Sequence, residues 1–383
     1  MVQLYQSVSL IFEGKITRMD KVKNKNEIAI AMSGGVDSAV AASLLIKNGF
    51  RVRGYYMSLK PWNCRERDKP VEQDRAEKVA DKLGIQLDIL DFQRIFKEEI
   101  IGGYISALSQ GLTPNPCVMC NRLIKWGSLL DYVQSKGISL LASGHYAYLQ
   151  RDENGDVTLH KGLDENKDQS YVLSALPQSV LRHMILPLGN LQKKEVQALA
   201  QEFGLSESVD RESQDLCFLS GFKQEDFLRE NAKELLESGE ITDQDGNVLG
   251  RHSGLALYTI GQRKGLGIAW HEPLFVIDKN IERNILIIGT KDKLRQNALT
   301  AKDANWISEL PQTDDRRYDI KIRYKSKLLK ARIHHLQDRE FTVIFDESLR
   351  DITPGQRVVV YKGRKCLGGG EIVKGMYINN LKR

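Results

Sequence analysis

The sequence predicts an α/β protein: an N-terminal doubly wound parallel sheet, a small central domain and a C-terminal antiparallel β-barrel. Strand-length apolar stretches alternate with amphipathic, helix-length stretches as far as Ser143, and a glycine-bearing turn follows the first strand. From about Leu286 the pattern changes to short alternating strands. We expect an N-terminal extension and three domains, with boundaries at 1–26, 27–220, 221–285 and 286–383.

The first predicted strand leads into a turn suited to phosphate. Ile28 to Met32 form an apolar strand pattern, and the turn that follows has the sequence Ser33-Gly34-Gly35-Val36-Asp37-Ser38. Glycines allow a sharp turn and a close approach to a ligand, and the serine hydroxyls stand beside the N–H groups of a helix start, which attract anions. A carboxylate there would repel phosphate unless it bound a metal ion, so Asp37 indicates Mg²⁺ held together with a nucleotide.

Strands and helices then follow in regular order. We predict strands at 51–57, 86–91 and 140–143, and helices at 71–83, 93–110, 121–136 and 191–203. This order predicts a parallel sheet covered by helices on both faces, with ligands at the carboxyl ends of its strands. Because Gly144 and His145 also follow a strand, we expect them at the same edge as the turn.

Composition indicates a reduced, cytoplasmic protein. The chain has 383 residues, a formal net charge of +6 and five cysteines, too few and too unevenly spaced for a disulfide framework. The mild positive charge permits an acidic partner such as nucleic acid. We find no apolar run of membrane-spanning length and no cleavable signal pattern, so we expect no membrane association.

Two cysteines lie in a segment that we predict to be a loop, from Gly111 to Asn121, where Cys117 and Cys120 form a C-x-x-C pair. A structural zinc ion would need four ligands, and the other cysteines lack paired spacing. A thioredoxin-like redox pair would open a helix after a first strand, which this pair does not. Sulfur chemistry fits better, since a thiolate is both a strong nucleophile and a sulfur carrier. Cys217, far away in sequence, is a candidate partner.

The predicted barrel carries a basic strip, which we define as residues 316–332. It contains eight lysines and arginines and a single acid, Asp319. Such a strip either contacts phosphates along a nucleic-acid backbone or is a solvated face kept soluble by charge, and the residues alone leave both interpretations open.

Eight motifs together resemble those of the tRNA-specific 2-thiouridylases, PP-loop enzymes of the ATP-pyrophosphatase class, and the resemblance covers nearly all of the chain after the N-terminal extension. The first motif is common among PP-loop enzymes, whereas the remaining ones in this order are specific. The motifs are Ser33–Ser38, Gly54–Met57, Asn115–Asn121, Ser143–Ala147, Lys167–Tyr171, Ser213–Phe218, Gly261–Gly267 and Pro354–Gln356.

The resemblance implies ATP-dependent thiolation of the wobble uridine of tRNA, in which ATP adenylates the C2 oxygen and sulfur then replaces it. It implies Cys120 as the nucleophile and Cys217 as the carrier of a persulfide. The implied ATP contacts are Ala31, Met32, Ser33, Gly34, Gly35, Val36, Asp37, Ser38, Met57 and Gly144. The implied contacts with the target base and the rest of the tRNA are Asn115, Pro116, Cys117, His145, Lys167, Asp168, Gln169, Arg323, Tyr324 and Gln356.

One departure from the family pattern concerns Cys117, which stands where the family has an aspartate, so the acid/base role of that aspartate is in question here. Cys117, Cys120 and Cys217 together could hold a 4Fe-4S cluster with one open iron that binds sulfide, as an alternative to the persulfide route. The sulfur donor would be a persulfide carrier protein, a cysteine desulfurase or sulfide. The rival functions are a PP-loop amidating synthetase and a zinc-stapled RNA-binding module.

Overall fold

The computed structural model describes residues 27–59, 69–205, 216–219, 222–337 and 339–378. The predicted extension at 1–26, Cys64 and Ser213 to Asp215 therefore lie outside the described residues. The chain divides into two units: residues 1–97, 117–214 and 364–366 form the first, and residues 98–116, 215–363 and 367–383 form the second.

The first unit is built on a parallel sheet with the strand order β3-β2-β1-β4-β7. The order confirms the predicted doubly wound sheet, because the chain adds strands on one side of β1 and then returns to the other side. The strands of this unit are β1 (Glu27–Met32), β2 (Arg51–Ser58), β3 (Leu87–Asp91), β4 (Leu141–Ala142), β5 (Ala147–Arg151), β6 (Val157–Lys161) and β7 (Met184–Ile185).

Helices follow most of these strands. Two helices, here called α3 and α4, each contain a π-helical segment between α-helical ones. These segments are Phe96–Ile101 in α3 and Asn121–Ser128 in α4. No helix in the described ranges combines the length and the apolar character needed to cross a membrane. Across the described residues of both units, the α-helices are α1 (Val36–Lys47), α2 (Val71–Leu83), α3 (93–109), α4 (116–135), α5 (Ser170–Leu173), α6 (Gln178–Leu181), α7 (Lys193–Glu202) and α8 (Gln224–Asn231).

The core of the first unit lies where β1 meets α1. Strand β1 is buried along most of its length, as expected of a central parallel strand covered on both faces. Helix α1 contributes Ala39, Ala41 and Ala42, all fully buried, and these small side chains let the helix approach the sheet closely. The turn between β1 and α1 is therefore held by well-packed elements at both of its ends.

The predicted loop at 111–121 is partly wrong, because α4 already begins at Pro116. Proline has a fixed φ suited to the first helical position, where its missing N–H would have no intrahelical partner. Cys117 and Cys120 consequently lie in the first turns of a helix.

In the second unit, two antiparallel hairpins joined by one parallel pairing build a sheet with the order β10-β11-β8-β9. Its core includes Ile241, Val276, Leu286 and Ile288, all fully buried. The strands are β8 (Gly239–Thr242), β9 (Val248–His252), β10 (Phe275–Asn280) and β11 (Ile285–Gly289).

The remaining strands of the second unit form the predicted barrel. The order is β12-β15-β14-β13-β16-β17, and β12 also pairs antiparallel with β17, which closes the sheet. The buried side chains alternate along β13 and the first half of β14, so one face of these strands fills the interior. The strands are β12 (Gln296–Trp306), β13 (Tyr318–Lys321), β14 (Leu329–Gln337), β15 (Glu340–Leu349), β16 (Arg357–Lys362) and β17 (Lys365–Met376).

Candidate active site

The turn after β1 depends on Gly34. Its φ is +74°, a conformation that favours glycine, and a Cβ built there would lie 2.2 Å from the carbonyl oxygen of Glu72 at the start of α2. A side chain at this position would therefore be strained and would also clash with backbone. Of the predicted ATP contacts, Ala31 and Met32 end β1, and Met57 lies near the end of β2.

Two serines stabilise the turn from within. The backbone N–H of Ser33 donates to Oγ of Ser38 over 3.2 Å, and that hydroxyl donates to the carbonyl of Gly35 over 2.9 Å. Helix α1 then begins at Val36, and the preceding Gly35 has an extended backbone and no side chain with which to cap the helix. This helix start presents backbone N–H groups and the positive end of the helix dipole, an arrangement suited to an anion.

Gly144 brings the end of β4 against the same turn. A Cβ on Gly144 would lie 2.7 Å from the carbonyl carbon of Asp37 and 2.8 Å from the nitrogen of Ser38. Strands β1 and β4 are neighbours at the point where the strand order reverses, which is where open α/β sheets bind ligands. The prediction that the turn and Gly144 share one edge is confirmed.

Among the described residues, the carboxylate of Asp37 accepts hydrogen bonds from Lys193 and Tyr146. Nζ of Lys193 donates to its two oxygens over 2.7 and 2.9 Å, and the hydroxyl of Tyr146 donates to Oδ1 over 2.6 Å. The ammonium of Lys193 also lies 5.7 Å from the centre of the Tyr146 ring. These contacts fix the orientation of a carboxylate in the first turn of α1.

Cys117 and Cys120 differ in their surroundings, since Cys117 is exposed and Cys120 is buried. Although Cys117 reaches the surface, enough protein surrounds its sulfur that desolvation raises the pKa of the thiol, and the Lys125 ammonium partly offsets this rise. Asn121, one turn along α4, donates from Nδ2 to the carbonyl of Cys117 over 3.0 Å. The backbone that carries both cysteines is therefore part of a hydrogen-bonded helix.

Two of the predicted tRNA contacts in the first unit, His145 and Asp168, are buried. His145 is buried, its Nδ1 lies 2.7 Å from Oγ of Ser143, and its ring packs beside Trp126. Burial, with a smaller contribution from Lys125, holds the pKa of His145 well below its usual range, so the imidazole is neutral. Direct contact of His145 with tRNA stays a prediction.

The Lys167–Tyr171 motif also supports the local fold. Asp168 is buried and accepts hydrogen bonds from the N–H groups of Gly162 and Ser170, each over 3.0 Å. The side-chain oxygen of Gln169 accepts from the N–H of Tyr146 over 2.9 Å, while Lys167 is half-buried. The motif thereby positions Tyr146, which contacts Asp37.

In the second unit, the predicted tRNA residues Arg323 and Gln356 lie around Thr353. The guanidinium of Arg323 donates to Oγ1 of Thr353 and to the carbonyl of Ile260, and the backbone N–H of Gln356 donates to the carbonyl of Thr353. The side chain of Gln356 donates to the carbonyl of Thr113 over 2.6 Å. The Pro354–Gln356 motif is therefore joined to the segment that leads to Asn115 and Pro116, while Tyr324 is half-buried between β13 and β14.

Cys217 is exposed and is anchored by its neighbours. The ring of Phe218 packs edge-on against Tyr104 at 5.3 Å and lies 5.2 Å from the ring of Phe227, and burial raises the pKa of Tyr104 to about 12. Leu216 lines a cavity of about 190 Å³ in the second unit together with Thr113 and Pro114. Cys217 thus adjoins a residue of this cavity.

The basic strip is less uniformly positive than its sequence indicates. Among the described residues, cations of the strip pair with acids, two of them with acids that lie just before the strip in sequence and one with an acid on β15. The pairs are Arg316–Asp314, Arg317–Asp346, Lys330–Asp319 and Arg332–Asp315. Lys325 and Lys327 are exposed in the turn between β13 and β14 and form no ion pair with the described residues.

A metal centre built only from protein side chains does not appear in the described ranges. There, no three His, Cys, Asp or Glu side chains lie close enough together to hold a metal ion.

Comparisons with known proteins decide the family. Three family models match successive parts of the chain: a tRNA methyl transferase HUP domain at 26–221, a tRNA methyl transferase PRC-barrel domain at 225–290 and an aminomethyltransferase β-barrel domain at 296–372. A tRNA-specific 2-thiouridylase from Acetivibrio thermocellus is 39% identical over 358 residues, which cover 91% of this chain and 99% of that protein. The chain belongs to the tRNA-specific 2-thiouridylase family.

Other relatives agree with this assignment. The 2-thiouridylase from Moorella thermoacetica is 42% identical and covers 90% of this chain and 98% of its own length. Among solved structures, the U34-tRNA thiolase NcsA from Methanococcus maripaludis with its [4Fe-4S] cluster is 21% identical, with a TM-score of 0.36 over 59% of this chain and 73% of that chain. A similarity of this size supports no statement about activity.

Two residues of the site were missed from the sequence. Lys193 is separated from Asp37 by 156 positions and Tyr146 by 109, so no local motif joins them. The available signal was the position of Lys193 at the start of a predicted helix, which does not by itself indicate a ligand. Tyr146 lies within the family motif Ser143–Ala147, in which only Gly144 was assigned to ATP and His145 to tRNA.

Proposed function

We propose that this chain catalyses ATP-dependent 2-thiolation of the wobble uridine of tRNA. The observation that carries the proposal is the turn after β1, where Gly34 and Gly144 let neighbouring backbone pack closely around the turn and the start of α1 has no side-chain cap. Family membership supports the choice of ATP and tRNA as substrates. Cys120, near the start of α4, and Cys217 supply the sulfur groups that such a reaction needs.

The proposed reaction has two steps. The C2 oxygen of uridine attacks the α-phosphorus of ATP, which forms an O–P bond and expels pyrophosphate. A terminal persulfide sulfur on Cys217 then attacks C2, and AMP leaves with the original oxygen. Cys120 acts as the nucleophile that releases the sulfur from Cys217, which leaves the two cysteines as a disulfide to be reduced by a thiol.

Mg²⁺ would accompany ATP, and Asp37 is suited to contact it. Among the described residues, the Oδ2 atom of Asp37 receives a hydrogen bond only from Lys193, which leaves a lone pair for a cation. Proteins usually hold Mg²⁺ with one or two carboxylates, together with phosphates and water. The ion would help to disperse charge on the departing pyrophosphate.

The proposed contacts with tRNA fall into two groups. Asn115, Pro116 and Cys117 would face the target base. His145, Lys167, Asp168, Gln169, Arg323, Tyr324 and Gln356 would contact the remainder of the tRNA. Because the wobble base must leave its stack to be adenylated, binding includes the free energy of unstacking it.

The test is to incubate the full chain with Mg²⁺-ATP, a sulfide or persulfide donor and unmodified tRNA, and to analyse the digested RNA by mass spectrometry. We expect 2-thiouridine together with pyrophosphate. Pyrophosphate release with an ammonia-derived product would instead favour the amidating synthetase, and RNA binding with stoichiometric zinc and no pyrophosphate would favour the binding module.

Cys120→Ser is expected to abolish thiolation while tRNA binding survives. Cys366→Ala is the matched control, because Cys366 is buried on β17 and has no proposed role. If Cys120→Ser retains normal activity, Cys120 has no part in the mechanism.

The source of sulfur is decided by anaerobic purification followed by assays for iron and acid-labile sulfide. We expect a colourless, iron-free and fully active enzyme, consistent with a persulfide delivered by a carrier protein or a cysteine desulfurase. Stoichiometric iron that is required for activity would favour the cluster, with sulfide as the donor.

A further inference from the structure

The phosphate-binding turn contains no cation of its own. Between Ser33 and Ser38 the charged side chain is Asp37, and no lysine of the common P-loop type follows. A triphosphate carries several negative charges at neutral pH, and backbone N–H groups alone bring only partial positive charge to it. A cation from elsewhere in the fold would complete the site.

Lys193 lies where such a cation is needed. Its Nζ contacts both oxygens of Asp37 over 2.7 and 2.9 Å, and its side chain is 15% exposed. The ammonium has three N–H donors, so these contacts leave one for a further acceptor. Asp37 lies in the first turn of α1, immediately beside Ser38 and Gly144.

The backbone of Lys193 is held as firmly as its ammonium. Lys193 is the first residue of α7, and its N–H donates to the carboxylate of Asp164 over 2.9 Å. The preceding N–H, of Gln192, donates to the carboxylate of Glu195 over 2.7 Å. Both ends of the side chain are thus fixed, which lowers the entropy cost of using it to bind a ligand.

We propose that Lys193 binds a phosphate of the nucleotide, and that Asp37 and Tyr146 position its ammonium. The inference rests on the proposed function for the identity of the nucleotide as ATP. Asp37 keeps the ammonium beside the turn before the nucleotide arrives, and the remaining N–H donates to a phosphate oxygen. The hydroxyl of Tyr146 fixes the carboxylate from the other side, over 2.6 Å.

The experiment compares ATP with adenosine, which lacks the phosphates, by calorimetric titration of the full chain. We expect Lys193→Gln to weaken ATP binding at least tenfold and to leave adenosine binding unchanged. The matched control is Lys194→Gln, which removes the same charge from the exposed neighbouring residue. We expect it to bind both ligands as the wild type does.

A merely structural ion pair would give a different result. Lys193→Gln would then lower the melting temperature, with ATP affinity unchanged or with ATP and adenosine affected equally, and either outcome overturns the inference. Tyr146→Phe keeps the ring and removes only the hydroxyl, so it tests the same arrangement if Lys193→Gln does not fold. We expect it to weaken ATP binding at least threefold with adenosine unaffected, and unchanged ATP binding would contradict the positioning role.

The inference and the proposed function can fail separately. If the wild type thiolates tRNA while Lys193→Gln binds ATP normally, only the inference is wrong. If Lys193→Gln selectively loses ATP but the wild type forms no thiouridine, the phosphate role of Lys193 stands and the proposed reaction is wrong.

Discussion

Cys117 shows how a single neighbour adjusts a reactive side chain. Desolvation raises the pKa of its thiol, and the Lys125 ammonium lowers it. Replacing Lys125 with Gln removes the favourable charge, so a smaller fraction of Cys117 is thiolate at pH 8. We expect alkylation of Cys117 by iodoacetamide, followed by peptide mass spectrometry, to slow by about two- to fivefold.

Arg122→Gln is the control for this experiment, because Arg122 is exposed on the same helix and its substitution removes an equal charge. If both variants slow alkylation equally, the effect comes from the net charge of α4 and not from the proximity of Lys125.

The charge of Lys279 lowers the stability of the folded protein. Its Nζ is buried without a hydrogen-bond partner among the described residues, and desolvation lowers its pKa to about 8. Between pH 8 and its ordinary value of 10.5, the unfolded chain binds a proton that the folded chain does not, so this lysine makes stability rise with pH in that window. Below pH 8 the penalty is fully present.

Lys279→Met should therefore stabilise the second unit at pH 7, by about 2 kcal/mol. Differential scanning calorimetry should show a higher melting temperature than the wild type at pH 7, and the gap should narrow at pH 9.5. Lys291→Met, at an exposed lysine, should change neither value appreciably. A gap that stays constant with pH would mean that the gain comes from packing of the methionine and not from removal of the charge.

The turn between β1 and α1 can be tested as an element. Gly34 and Gly49 stand before and after α1, and both have positive φ, +74° and +84°. A Cβ at Gly34 meets the carbonyl oxygen of Glu72 at 2.2 Å, whereas at Gly49 it meets nothing within 4 Å. Alanine at Gly49 therefore carries only the backbone penalty, about 1 kcal/mol, and alanine at Gly34 carries the clash as well.

We expect Gly34→Ala to lower the melting temperature further than Gly49→Ala and to weaken ATP binding at least tenfold, with Gly49→Ala binding ATP normally. Equal melting temperatures and equal affinities would show that α2 shifts easily away from the turn and that the close approach has no role.

At the scale of elements, the sequence predicted what depends on local pattern. Helix α2 spans Val71–Leu83 as its amphipathic spacing indicated, and β1 follows its apolar run. The predicted loop at 111–121 missed the start of α4, because Pro116 suits the first helical position, where its missing N–H costs no hydrogen bond. Hairpin β5–β6 was missed although its pairing is local, whereas the pairing of β6 with Lys365 and Cys366 joins residues far apart in sequence. Long-range contacts of this kind, like that of Lys193 with Asp37, leave no periodic signal.

At the scale of the whole molecule, the net charge of +6 does not indicate where tRNA binds. Four cations of the basic strip already have acidic partners, which reduces their attraction for phosphate. Lys325 and Lys327 are exposed in the turn between β13 and β14 and form no ion pair with the described residues. We therefore expect these two lysines, and not the strip as a whole, to contact the tRNA backbone.

The double variant Lys325→Gln with Lys327→Gln should weaken tRNA binding several-fold at 0.1 M salt and make the dependence of log affinity on log salt shallower by about 1 to 2. The matched control is Arg316→Gln with Arg317→Gln, which removes two charges from the same barrel but from residues that are already paired. This control changes the net charge by the same amount and leaves its two acidic partners unpaired. If proximity to RNA governs binding, the control should lose less affinity than the Lys325 and Lys327 variant; if the charge of the barrel governs binding, it should lose as much. Filter binding across a salt series measures both slopes. Equal slopes for the two double variants would mean that the barrel acts through its overall field.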